Sequence, residues 1–163
     1  MSKPVRSAHP GSVREIQRTF FTTAKSLEGR NLLQAEPIAL LLIDVLRSYA
    51  GQNKFVVHDF VVMPNHVHLL LTIDQLMTIE KAMQLVKGGF SYRVKKELGY
   101  ALGIWQRGFT EIRILSRASF LKHRNYIYQN PVKAGLTDSP EKFRYSSAYF
   151  KHQKHTAAKA GEP

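Results

Sequence analysis

The chain has 163 residues, 44% of them hydrophobic, which suits one domain with its own core, since a domain of about 150 residues buries roughly 68–70% of its unfolded surface. The 24 Lys and Arg stand against 12 Asp and Glu, and this net charge of +12, spread along the chain, points to a polyanionic partner. With no cysteine, a disulfide scaffold, thiolate metal ligands and a cysteine nucleophile are excluded.

Residues 1–13, rich in Pro, Gly and Ser, read as a flexible basic arm; no apolar run of the secretory kind follows their charges, so a cytoplasmic protein is expected. "IQRTFFTTA" (16–24) is aromatic and β-branched and reads as a first strand. In "AEPIALLLIDVLRSYAG" (35–51), Pro37 suits a first helical turn, and Ile38, Leu41, Leu42, Val45 and Tyr49 share a face that Gly51 can end. Its most apolar stretch is about half the ~20 residues a membrane span needs and contains Asp44, so no membrane association is expected. "KFVVHDFVVMPNHVHLLLTI" (54–73) gives two β-rich runs broken at Met63-Pro64-Asn65, an antiparallel hairpin whose second strand opens with His66 and His68.

Thr78 suits the N-cap of a helix that buries Ile79, Met83, Val86, Phe90 and Val94 and stops at Gly99. Its other face carries Lys81, Lys87, Arg93, Lys95 and Lys96, and Gly88-Gly89 in its middle implies a kink or a close approach by another backbone. "TEIRIL" (110–115) alternates as a strand, and "SRASFLKHRNYIYQNP" reads as a helix capped by Ser116 or Ser119 and ended before Pro131. Residues 151–163 read as a flexible basic tail. The order β-α-β-β-α-β-α predicts one α+β domain over 14–150, ferredoxin-like, with a mostly antiparallel sheet and helices packed on one face.

Two constellations carry chemistry. Residues i and i+2 of a strand share a face, so His66 and His68 present two imidazoles side by side, either as a bidentate metal clamp or as surface or interface histidines. Tyr126 and Asn130, four apart on a helix, also share a face. They are either a nucleophile with an oxygen ligand, or an interfacial aromatic with a residue that ends the helix. Taken together, the four residues suit a divalent cation that polarises a phosphate while a phenolate attacks it.

The blocks "FVVMPNHVHLLLT", "MQLVKGGFSYRVKKELG", "IWQRGFTEIRI", "YIYQNPVKAGL" and "FRYSSA" resemble, in order and spacing, those of the REP-associated tyrosine transposases, relatives of the single-strand insertion-sequence transposases with a His-hydrophobic-His motif. The resemblance runs from about residue 16 to residue 149. It implies that His66 and His68 are metal ligands for Mg²⁺ or Mn²⁺, that Asn130 completes the site, and that Tyr126 is the nucleophile. It also implies cleavage and rejoining of single-stranded DNA near hairpins through a 5′-phosphotyrosine link. Members of that family carry an acidic residue followed by His before "RI"; here Glu111-Ile112 stands instead, so any role resting on that His lapses. Tyr128 lies about 200° around the helix from Tyr126 and is the poorer nucleophile. Related insertion-sequence enzymes are dimers and the REP-associated branch resembles monomers, so both states stay open.

Hairpin phosphates would meet Lys81, Lys87, Arg93, Lys95, Lys96, Arg107, Arg113, Arg117, Lys122 and Arg124. Unpaired bases could stack on Trp105, Phe109 or Tyr92, although Trp105 beside Ile104 also reads as core. Two other readings compete. A hairpin-binding module without catalysis would account for the charge, but no RNP-like aromatic strand is present. A Zn²⁺ hydrolase would want a third ligand; His58 is available on the neighbouring strand, with Asp59 expected to point the opposite way.

Overall fold

A computed structural model describes residues 17–161. The basic arm expected over 1–13 lies outside the described residues. Four strands, β1 (Arg18–Lys25), β2 (Val56–Met63), β3 (His66–Ile73) and β4 (Thr110–Ile114), form an antiparallel sheet in the order β2-β3-β1-β4. Helices α1 (Glu36–Gly51) and α2 (Ile79–Leu98) follow β1 and β3, and α3 (Arg117–Lys133) follows β4. This is the α+β, ferredoxin-like arrangement that the element order predicted.

The helices are not confined to one face as expected. Val67, Leu69, Leu71 and Ile73 of β3 join Phe20 and Val62 under α1 and α2, whereas Leu70 joins Phe21, Val61 and Met63 under Ile127 of α3. A sheet covered on both sides needs apolar residues in both alternating sets, which is why "HVHLLLTI" reads as a nearly unbroken apolar run. The helix α3 had no strong apolar stripe to announce this placement; only Ile127 and Pro131 of its 17 residues are buried.

The Thr78 cap is present, its hydroxyl accepting the Lys81 N–H at 3.1 Å, and Gly99 ends α2 in the left-handed region at φ +70°. The glycine pair in α2 makes no break in the helix. Gly89 instead admits α1, because a Cβ there would collide with the Tyr49 hydroxyl and ring, while one on Gly88 would meet open space. Gly88→Ala should therefore stabilise the fold by up to about 1 kcal/mol through helix propensity. Gly89→Ala should be worse than Gly88→Ala by about 1–3 kcal/mol, since Tyr49 must leave its seat. Paired urea melts measure this, and equal stabilities for the two variants would refute the close approach.

Two boundaries differ from expectation. Helix α3 runs through Pro131 to Lys133, and Gly135 at φ +73° makes the turn beyond it. Pro131 is buried with Ile127, so packing outweighs the missing backbone hydrogen bond, and Asn130 is held inside the helix rather than at its frayed end. The tail expected to be flexible over 151–163 is helical as far as Ala160, as part of α4 (Ser147–Ala160), with Ser146 as its N-cap. Tyr145, just before α4, and Ser147, its first residue, also close the β2 edge: Val62 N–H donates to Tyr145 O at 2.8 Å and Phe60 N–H to Ser147 Oγ at 3.0 Å. Among the described residues no helix is long and apolar enough to cross a membrane.

Candidate active site

The hairpin turn delivers His66 and His68 to the α3 face of the sheet, with their ring centroids 4.7 Å apart. Val67 between them is fully buried under the α1 and α2 layer, as the two-residue period requires. Tyr126 comes down from α3 with its ring 5.3 Å from that of His68, and Phe21 packs against both, 5.1 Å from His68 and 5.8 Å from Tyr126. Asn130, one turn on, reaches the pair from α3, its Nδ2 lying 3.5 Å from His68 Nε2. The structure thus brings together all four residues singled out for chemistry.

Both rings are oriented from behind. The Nδ1 of His66 lies 2.7 Å from Asn65 Oδ1, an acceptor, and the Nδ1 of His68 lies 2.8 Å from Thr23 Oγ1. At His66 the acceptor Asn65 Oδ1 calls for the ring proton on Nδ1, while at His68 the Thr23 hydroxyl, which can donate or accept, fixes the orientation of the ring. Burial lowers both imidazole pKa values, with the Lys25 charge adding to the effect at His66 and the His66 ring at His68, which is brought down to about 3. Two neutral imidazoles beside the Asn130 side-chain amide are groups of the nitrogen and oxygen kind that a divalent cation takes. Among the described residues no cluster of three His, Cys, Asp or Glu that could hold a metal ion gathers.

The two tyrosines of α3 have different surroundings. Tyr126 is 46% exposed, and among the described residues its hydroxyl has no hydrogen-bond partner. The Tyr128 hydroxyl donates to Asp59 Oδ1 at 2.8 Å, and burial together with the Asp59 charge pushes its pKa well above the ordinary phenol value. Asp59 does not point away as expected. A bulge between Val57 and Asp59 breaks the alternation of β2, so both His58 and Asp59 face α3, His58 against Phe120 and Asp59 against Arg124 and Tyr128. His58 bonds Thr72, four residues and about 13 Å along β3 from His68, so it supplies no third ligand.

The predicted cations do not form one surface. Lys81, Lys95 and Lys96 are exposed on α2, in the layer opposite the histidines, and Tyr92 is exposed there too. Arg93 is tied to Asp44 and Glu97, and Lys87 donates to the carbonyls of Gln106 and Gly108 at 3.0 and 2.6 Å. Arg124 is committed to Asp59 at 2.8 Å, and Arg113 lies over the Phe20 ring. Arg107, Arg117 and Lys122 are exposed. Trp105 and Phe109 are partly buried against the core, Trp105 beside Phe90 with its Nε1 donating to Lys87 O.

Sequence reasoning missed Thr23, Asn65 and Lys25. Thr23 and Lys25 are visible only once the register pairs Thr23 with His68 and Lys25 with His66. The role of Asn65 was masked by its place in a turn signature.

The family model described as "Transposase IS200 like" matches residues 12–130. A REP-associated tyrosine transposase of Escherichia coli K12 is 30% identical over 135 residues, covering 79% of this chain and 75% of that protein. A Haemophilus influenzae protein assigned to the same kind of transposase is 29% identical over 96 residues, 53% of this chain, so the chain spans about half (54%) of that relative's length. Among solved structures, a REP-associated tyrosine transposase bound to a REP hairpin shares the fold at a TM-score of 0.65 and 24% identity, covering 100% of this chain and 89% of that one. A Deinococcus radiodurans protein assigned as a transposase matches at 0.53 and 21%, covering 78% and 95%.

Proposed function

This chain belongs to the IS200-like transposase family, and from that premise we propose that it is a metal-dependent transesterase that cleaves and rejoins single-stranded DNA near hairpins through Tyr126. The observation that carries this reading is the convergence of an exposed phenol with two imidazoles and an amide on one face of the sheet. The similarity to a REP-associated transposase over three quarters of its length, and the fold shared with one bound to a REP hairpin, support hairpin DNA as the substrate class.

A Mg²⁺ or Mn²⁺ ion held by His66 Nε2, His68 Nε2 and the Asn130 oxygen would draw charge from the scissile phosphate. Tyr126 Oη attacks phosphorus and forms a P–O bond to the 5′ side. The P–O3′ bond breaks, the phenol proton is given up, and the departing oxygen takes a proton to become a 3′-OH. In the reverse step a 3′-OH attacks the phosphotyrosine and returns the phenol, so strands rejoin without water or an outside energy source. Thr23 and Asn65 keep the imidazoles turned toward the phosphate throughout. Phe21 and His123, with ring centroids 4.9 Å apart, line the apolar floor beside Tyr126.

The test is a labelled stem-loop oligonucleotide with single-stranded flanks, taken from repeats of the source genome and mixed with protein and Mn²⁺, then denatured. A labelled protein band is expected. It should vanish with chelator, return with added Mn²⁺, and be absent in His68→Ala. Release of free ends without any covalent band would mean hydrolysis instead. Tight hairpin binding with neither product would make the chain a binding module.

A further inference from the structure

A cavity of about 200 Å³ opens across β1 from the histidine pair, lined by Thr23, Lys25, Gln106, Arg107, Gly108, Phe109 and Thr110. Two of its walls already belong to the site. Thr23 holds His68 Nδ1, and Lys25 stands directly opposite His66 across the β1–β3 pair, so their side chains leave the sheet on the same side.

The wall across from β1 is a fixed arch. Gln106 N–H donates to Lys25 O at 2.9 Å, and Lys87 Nζ reaches from α2 to the carbonyls of Gln106 and Gly108, on either side of Arg107. Trp105 Nε1 donates back to Lys87 O at 3.1 Å, and Gly108 turns the chain at φ +79°. Lys87, read from the sequence as a DNA contact, is therefore the clamp that positions Arg107.

Lys25 and Arg107 are both exposed, and among the described residues neither is paired with a carboxylate, unlike Arg93, Arg124 and Lys151. Two free cations on a preformed arch suit an anion. A cavity of this size, below the roughly 300 Å³ of pockets for whole small molecules, suits a phosphodiester group.

The geometry points to this cavity as the seat of a backbone phosphate of the single-stranded flank, next to the phosphate that Tyr126 attacks, with Lys25 and Arg107 as its contacts. The position beside the attacked phosphate rests on the strand-cleaving reading of Tyr126; the seat itself does not. Such a seat fixes the register of the flank over the histidines without reading its bases.

Binding of two fluorescent probes tests this, one a stem-loop with a thymidine flank and the other the same stem-loop blunt-ended. Lys25→Gln/Arg107→Gln should weaken binding of the flanked probe by about tenfold, as loss of charged hydrogen bonds does. It should also flatten the log–log salt slope by about 0.7, the single-strand value for one phosphate. The blunt probe should bind as before, and melting should be unchanged because both residues are exposed. An equal loss on both probes, or none on either, overturns the seat. A flank-specific loss without any covalent band from the wild type upholds the seat while the cleavage reading falls. A wild-type covalent band with unchanged flank binding in the double variant removes the seat alone.

Discussion

Tyr126→Phe will remove the covalent protein–DNA band without moving the melting temperature, and Tyr128→Phe will do the reverse. The two phenols lie two residues apart on α3, yet only one is free. The Tyr126 hydroxyl has no partner among the described residues, so its deletion breaks no hydrogen bond of the fold. The Tyr128 hydroxyl supplies one of the donors to a carboxylate with no exposed side-chain surface. Its loss leaves that carboxylate one donor short, a cost of about 1–3 kcal/mol. For a chain of this size each kcal/mol moves the melting temperature by about 2–4 °C. Tyr128 is also kept protonated by burial and by the Asp59 charge, which leaves it a poor nucleophile. A covalent band that survives Tyr126→Phe and disappears in Tyr128→Phe would reverse the assignment, and a Tyr126→Phe protein that melts early would show that the phenol holds the fold.

Period-two and period-3.6 patterning carried the sheet and its hairpin, the cap and stop of α2, and the placing of His66 with His68 and of Tyr126 with Asn130, because each is a property of one element. What needed coordinates was the relation between elements. Which side of the sheet α3 would take could not be read from a helix with two buried residues, and that choice separates the lysines of α2 from the histidines. The bulge at Val57/Asp59 has no residue signature in "VVHDF"; it turned Asp59 from a residue expected to face away into the anchor of α3. Arg124 and Lys87 looked like free cations until their partners, 65 and about 20 residues away, appeared. The α4 helix did leave a signal: Ser146 ahead of "SAYFKHQKHTAAKA", a good cap before a run of Ala and Lys, outweighed in the reading by the charge of that run.

Asp59→Asn will destabilise the protein by about 3 kcal/mol at neutral pH and will lower the covalent yield as well. The Asp59 carboxylate takes Arg124 Nε on Oδ2 at 2.8 Å, and Lys151 Nζ, Tyr128 Oη and Ser147 Oγ on Oδ1 at 2.7, 2.8 and 2.8 Å. One buried group on β2 thereby fastens both α3 and α4, and α3 carries Tyr126 and Asn130. Breaking a buried pair from one side costs about 3–5 kcal/mol; the lower end applies because Arg124 and Lys151 are 33% and 48% exposed and can turn to water. Burial by itself would raise the Asp59 pKa, but hydrogen bonds from Lys151, Arg124 and Ser147 outweigh it and hold the carboxyl below its ordinary range. A carboxyl with a depressed folded-state pKa gives stability that is whole above the unfolded-state value and is lost as pH falls through the folded one. Urea melts from neutrality into that acid range should show the wild type converging on Asp59→Asn, whose own stability lacks this component. Parallel curves with a constant gap would mean that the carboxylate charge contributes nothing, and coincident curves at neutral pH would mean that α3 is held over the histidines by Ile127 and Phe120 alone.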